Sequence, residues 1–295
     1  MADKTTYQLA LTLKHNRDGS PDNRQTRYRE LHNMINHLQT NRGYSKRWDI
    51  HKFDRKEVNR LVHDWKKKGI SHRTIENRLS HARWLANHVN SSNTIPKMNK
   101  ALGLKKMSES TQKAIELDRS KLKTMPEREQ LSTELRREFG LRTEESLKFQ
   151  HEYATQKDGV IQLKGNWTKG GRPREIEITN DKQRDLLDRV GRYQHANNDR
   201  SMIPNHRTFK SYRRDYDEIR LAAGVPGHAL RHQWAQERFE QVAGLNSPHA
   251  GGGLYSELNH EDQARYRYAA GIVNNELGHG HGRQDITATY IGAMR

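Results

Sequence analysis

Between residues 54 and 89 the apolar positions fall three and four apart in two successive runs. In "DRKEVNRLVHDWKKKGIS" the stripe is Val58, Leu61, Val62 and Trp65, the spacing of one helical face. Asp54 followed by Glu57 gives the helix a capping-box start, and Gly69 gives it a stop. Ser71 can cap the next helix, "HRTIENRLSHARWLANHV", whose seam is Ile75, Leu79, Ala82, Ala86 and Val89. Upstream, residues 1–50 are polar and basic, with one helix expected around Tyr28–Leu38. Residues 1–105 therefore read as a helical domain. "SSNTIPKMNKALGLKKMSES", residues 91–110, is polar, lysine-rich and marked by Pro and Gly, and reads as an interdomain linker.

Beyond the linker, Leu131, Leu135 and Phe139 form another helical seam. The period then changes. "GVIQLKGNWTKGGRPREIEIT" predicts two short strands around a Gly-rich turn, with Ile176 and Ile178 alternating with Glu175 and Glu177. Helices return in "FKSYRRDYDEIRLAAG", where Phe209, Tyr212, Tyr216 and Ile219 share a stripe and read as core. A Gly-rich loop, "SPHAGGG", interrupts near Ser247–Gly253 and does not fit a phosphate-binding loop. The fold class is mainly α with a small β-hairpin, in two domains, 1–105 and 106–295.

Charge sharpens this picture. The 295 residues carry 53 Lys+Arg against 36 Asp+Glu, a net +17, with only 32% hydrophobic residues. Such a surplus repels itself in the folded state and points to a polyanion, DNA or RNA, as partner. Arg73, Arg78, His81 and Arg83 lie on or beside the polar face of the second helix, and these arginines are the candidate DNA contacts of the first domain. No stretch is long and apolar enough for a membrane span, and the N-terminus lacks a secretion-signal pattern. The absence of cysteine excludes disulfides, thiolate zinc sites and a cysteine nucleophile, and fits the cytoplasm.

Four clusters could do chemistry. Arg142 in "FGLRTEESL" has Glu145 three residues on; alone, this reads as a surface ion pair. Lys169 sits at the hairpin tip, where a lysine is ordinarily solvated but could also enter a DNA groove. In "GHALRHQWAQERF", His228 and Arg231 share a face near a helix N-terminus, where anions are favoured; His232 reads as helix support and Trp234 as core. In "ELGHGHGRQDITATYIG", His279 and His281 flank a glycine ahead of Tyr290 on a final helix. Together these residue types suit one task. Arginines clamp the charge of an attacked phosphodiester, a lysine protonates the leaving oxygen, a histidine accepts a proton, and a tyrosine attacks. Neither a metal nor another cofactor is required.

"GLRTEE", "TKGG", "HALRH" and "ELGH…Y", in this order, resemble the tyrosine recombinases, the phage-type integrases, from about residue 111 to 295. The helical first segment resembles their core-binding domain. "HALRHQWAQERFEQVAG", the AGGG-containing insertion and "ELGH" are especially like integrases of integrative and conjugative elements. The resemblance implies a site-specific recombinase whose domains clamp duplex attachment sites as a C. It implies a homotetrameric synapse, a 3′-phosphotyrosyl intermediate, and accessory DNA-bending or directionality proteins.

It also implies roles. Arg142 and Arg231 are the clamp arginines, Lys169 the general acid and His228 the general base. His279 is the phosphate-bonding histidine, Tyr290 the nucleophile, and Glu145 the supporting acid. Tyr290 follows His279 by 11 positions, longer than usual, so His281 is an alternative. Only "IGAMR" follows Tyr290, little for exchange with a neighbouring subunit. Two other classes remain open. One is a histidine-ligated metal nuclease on His228, His232, His279 and His281, although "HALRH" lacks a HExxH glutamate. The other is a DNA-binding protein without catalysis.

Overall fold

The computed structural model describes residues 3–89, 95–97, 99–104, 112–280 and 283–292. Its contacts divide the chain into two compact units, Met1–Ser108 and Glu109–Arg295.

The first unit is helical. Arg55–Lys67 starts with the expected capping box, in which Glu57 accepts from the Asp54 backbone N–H at 3.0 Å and Asp54 accepts from Lys56 N at 2.7 Å. His72–Val89 follows, with Ser71 accepting from Thr74 N at 3.3 Å. Val58, Leu61, Ile75, Leu79 and Ala82 are fully buried, as the stripes require, and Leu85 joins them. Burying each larger side chain contributes about 1.5–3 kcal/mol.

Two findings differ from the sequence reading. The helix expected at Tyr28–Leu38 runs from Pro21 to Arg42, and a further helix, Lys4–His15, precedes it. That first helix buries only Thr5 and Leu9, too few apolar positions to set a visible period. Part of the presumed linker also belongs to this unit. Ile95, Leu102 and Leu104 are buried in its core, and Lys66 Nζ donates to the Gly103 carbonyl at 2.7 Å. The remainder of 91–110, apart from 95–97 and 99–104, lies outside the described residues.

In the second unit, Ala229–Ala243 is the central helix. It packs against Glu127–Glu138, His260–Glu276 and Gln284–Ile291. Asp181–Ala196 lies against Glu127–Glu138, and Phe209–Ala222 carries buried Tyr212 and Tyr216. The two strands, Val160–Leu163 and Arg174–Glu177, are antiparallel, with Ile161 opposite Ile176 and Leu163 opposite Arg174. Leu131, Leu135, Phe139, Ile161, Ile176, Trp234 and Phe239 share one core. Gly140 shows how tightly it is packed. Its φ is +60°, and a Cβ there would lie 2.4 Å from the Trp234 ring, so a side chain is excluded twice over. Among the described residues no helix is long and apolar enough to cross a membrane.

Candidate active site

The site forms where the starts of two helices and the end of a third converge. His228 is the N-cap of Ala229–Ala243, which leaves Arg231 in the first turn, facing inward. Arg231 is 1% exposed. Its Nη1 donates to the Gly140 carbonyl and its Nη2 to the Leu277 carbonyl at 2.5 Å. A buried guanidinium needs such acceptors, and two carbonyls at separate helix ends supply them. Burial, then repulsion from Arg142, brings its pKa down to about 10, so it stays charged near neutrality.

Arg142 stands at the N-cap of Thr143–Leu147 and Glu145 in its first turn. Glu145 is fully buried. It accepts from Arg142 N at 2.7 Å and Arg142 Nη1 at 2.9 Å, with Arg231 Nη1 at 3.8 Å. Arg174, from the second strand, adds a fork of 2.9 and 2.8 Å. Burial alone would raise the Glu145 pKa. The charges of Arg174, Arg231 and Arg142 outweigh it and hold the carboxyl at about 2. The pair read from sequence as a surface contact is thus the centre of a buried charge cluster.

His279 follows the His260–Glu276 helix. Gly278 and Gly280 flank it at φ +69° and +82°, turning the chain sharply on both sides. Asn274 pins the turn by donating to the Gly280 carbonyl at 2.7 Å, and Thr287 donates to Asn274 at 2.7 Å. That second bond ties the turn to the last helix, which carries Tyr290. Both ring nitrogens of His279 are buried without a hydrogen-bond partner among the described residues. Burial, then Arg231, Arg142 and Arg174, lower its pKa to about 3. An unpartnered buried imidazole among cations is suited to an anionic oxygen.

Tyr290 is 6% exposed, and its hydroxyl lies 3.0 Å from His228 Nε2 and 3.4 Å from Arg231 Nε. His232 and His279 stack near its ring at centroid separations of 4.4 and 5.3 Å. The Tyr290 carbonyl accepts from Gln236 Nε2 at 3.0 Å and lies 3.2 Å from His249 Nδ1. Thus the "SPHAGGG" loop, to which the sequence reading gave no structural role, helps to hold the tyrosine helix. His228 keeps an exposed edge. Burial of the rest of its ring, then the charges of Arg231, Arg136 and Arg142, hold its pKa well below the ordinary value.

Arg142, Glu145, His228, Arg231, His279 and Tyr290 therefore meet in one place. Lys169 does not join them. It is exposed on the turn between the strands and has no hydrogen bond or ion pair among the described residues. His281 lies outside the described residues. In the first unit, Arg73 is exposed beside Glu76, at 3.9 Å. Arg78 pairs with Glu30 at 3.3 Å, and Arg83 donates to the Pro96 carbonyl at 3.0 Å and to Asn99 at 2.8 Å, so those two guanidinium groups are internally engaged.

Sequence reasoning missed Arg174, whose only signal is its place in the strand after the Lys169 turn. It also missed Arg136, which donates to the Gly227 carbonyl at 2.6 Å and props the turn before His228. Trp234 is core, as expected. Among the described residues no three His, Asp or Glu side chains gather as metal ligands, and the metal-nuclease reading finds no support.

Two family models match the chain: "Phage integrase, N-terminal" over residues 2–92 and "Integrase" over 105–237. Together they span well over half of it, and the second stops short of His279 and Tyr290. No curated protein matches in sequence. Among solved structures, the chain is similar to a lambda integrase (75–356) dimer bound to a COC′ core site. The TM-score is 0.63 at 12% identity, covering 100% of this chain and 96% of that one. It is similar to the Tn1549 transposon integrase (82–397) in complex with circular-intermediate DNA, with TM-score 0.59, 13% identity, and coverage of 99% and 96%. A lambda integrase tetramer bound to a Holliday junction gives 0.54 at 14% identity, covering 79% and 70%. At these identities the likeness establishes a shared fold. With the family models and the residues above, the chain belongs to the tyrosine recombinases, the phage integrase family of site-specific DNA recombinases.

Proposed function

We propose that this enzyme cleaves and rejoins duplex DNA at attachment sites through a 3′-phosphotyrosyl intermediate formed by Tyr290. One observation carries the reading: the Tyr290 hydroxyl sits 3.0 Å from His228 and 3.4 Å from Arg231 within a single chain. We read the nucleophile as acting in cis.

Arg142, Arg231 and His279 bind the nonbridging oxygens of the scissile phosphate, where charge builds in the transition state. Tyr290 Oη attacks phosphorus. His228, neutral near pH 7 because its pKa is held low, takes the hydroxyl proton. The P–O5′ bond breaks, and Lys169 gives a proton to the leaving 5′ oxygen. Reversal with a second 5′ hydroxyl rejoins the strand and frees the tyrosine. These side chains complete the reaction without a metal or nucleotide. Lys169 must reach the phosphate from its exposed turn.

Residues 1–105 serve as the core-binding domain, with Arg73 the most available of its candidate DNA contacts, and residues 106–295 as the catalytic domain. Two attachment sites, each holding two protomers, make a tetrameric synapse, a reading supported by the lambda integrase tetramer on a Holliday junction. DNA-bending and directionality proteins are expected accessories, and the cytoplasm the expected compartment.

The test is a nicked suicide substrate carrying the attachment site, incubated with and without EDTA and run on a denaturing gel. Wild type is expected to give a covalent protein–DNA band and Tyr290→Phe none. A band that persists in Tyr290→Phe removes the assignment; loss of the wild-type band on adding EDTA restores the metal reading.

A further inference from the structure

Arg174 is the first residue of the second strand, and Lys169 precedes it on the turn. Each of its nitrogens has an acceptor. Nη1 and Nη2 fork onto Glu145 at 2.9 and 2.8 Å, and Nε donates to the Glu276 carbonyl at 2.7 Å. Gly278 packs against the same side chain, since a Cβ there would lie 3.1 Å from Arg174 Cδ and Nη1. One guanidinium thus touches the acid that holds Arg142 and approaches Arg231, as well as the helix end that leads into His279.

The turn it follows is braced at its ends. The Thr168 hydroxyl bonds the Gly165 carbonyl at 2.9 Å and the Arg172 carbonyl at 2.7 Å. A Cβ on Gly165 would lie 2.5 Å from the Gly171 carbonyl oxygen. Lys148 Nζ, from a half-buried side chain that pairs with Glu144, also reaches the Asn166 carbonyl at 3.1 Å but touches none of the clamp residues. Further along the strand, Ile176 is buried and Glu177 pairs with Arg238 at 2.5 Å; these dock the sheet without touching the clamp. A turn braced at its ends is aimed by whatever fixes its base. Buried Trp167 seats one side of that base in the core, and on the other side a bidentate arginine, whose planar fork fixes orientation as well as distance, ties it to the clamp.

We infer that Arg174 is a positioning residue that fixes the Lys169 turn against the Glu145–Arg142–Arg231 clamp, so that the proton donor reaches the phosphate the clamp holds. This rests on the reading of Lys169 as the general acid.

The experiment compares cleavage rates of the full chain on ordinary suicide DNA and on DNA with sulfur replacing the scissile 5′ bridging oxygen. A thiolate leaves without a proton, so the sulfur substrate bypasses the general acid. Lys169→Ala, Arg174→Gln and Arg174→Lys are assayed beside wild type, with DNA affinity and Tm measured for each. Arg174→Gln is expected to slow cleavage of ordinary DNA about 100-fold, the scale of a lost general acid, and to recover most of that rate on the sulfur substrate. Arg174→Lys keeps the charge but not the fork, and should be slow and rescued in the same way. It carries the test if Arg174→Gln does not fold.

Wild-type rates in Arg174→Lys and Arg174→Gln, or equal slowing on both substrates, overturn the inference. Failure of sulfur to rescue Lys169→Ala would overturn the general-acid reading instead, and the inference with it.

Discussion

Glu57 and Glu145 begin alike. Each sits three residues into a helix start and accepts the N–H of the residue at its head, Asp54 at 3.0 Å and Arg142 at 2.7 Å. Each is buried. Glu57 then adds one neutral donor, the Tyr44 hydroxyl at 2.6 Å, and its work ends at stabilising a helix in the first unit. Glu145 gathers Arg142, Arg174 and Arg231 from three different segments of the second. A capping pattern thus became the anchor of a catalytic cluster once distant arginines were folded onto it. The first unit is held by apolar seams, local caps and separate ion pairs such as Arg27–Asp18 at 2.8 Å. The second spends part of its stability on buried charge that a phosphate can use.

The largest expected effect breaks that contrast directly. Glu145→Ala removes the carboxylate shared by three guanidinium groups and is expected to cost about 3–5 kcal/mol, the range for breaking a buried ion pair, and to abolish the covalent complex. Urea unfolding and the gel assay check both; a cost near that of a surface pair would show that the cluster is solvated.

Acidification should separate the two units next. An unfolded histidine takes up a proton near its ordinary pKa of 6.5. In the fold, burial and then nearby charges delay protonation of His232 to about 4 and of His279 to about 3, and His228 is lowered too. Their stabilising contribution is therefore complete above about pH 6.5 and is lost as pH falls toward the folded values. Glu145 adds a further loss below its ordinary 4.5. In the first unit His81 is lowered by burial, while Asp64, bonded by Arg42 and His37, loses its contribution only below 3.8. Hydrogen exchange at falling pH should therefore lose protection in Ala229–Ala243 before His72–Val89. The reverse order would contradict the comparison.

The smallest effect sharpens it. Asp54→Ala removes a cap and should cost about 1 kcal/mol in the first unit, by urea unfolding, with DNA cleavage little changed. A large drop in the cleavage rate itself would mean that the local cap serves the chemistry.

How far the sequence went depended on distance along the chain. The Asp54–Glu57 cap, the Val58–Trp65 and Ile75–Val89 seams, and the hairpin were all legible because their determinants lie within a few residues of each other. The Lys4–His15 helix and the packing of Ile95, Leu102 and Leu104 were not, because sparse apolar residues in a polar stretch show no period until a core exists to receive them. The candidate site was legible as residue types whose order resembles a family. That resemblance could name Arg142 and Arg231, but could not say that Gly140 and Leu277 would supply the carbonyls that hold Arg231.

By itself, then, the sequence determined local helix starts and stops, the alternation of the hairpin, the basic charge and the residue types available for phosphate chemistry. Each of these follows from short-range backbone and side-chain physics or from simple addition. Only the tertiary structure decided that Arg174 would serve Glu145, that both nitrogens of His279 would be buried without a partner among the described residues, and that Lys169 would stay outside the cluster. A buried charge is tolerable only where its partners converge, and that convergence joins residues tens of positions apart, which no local pattern encodes.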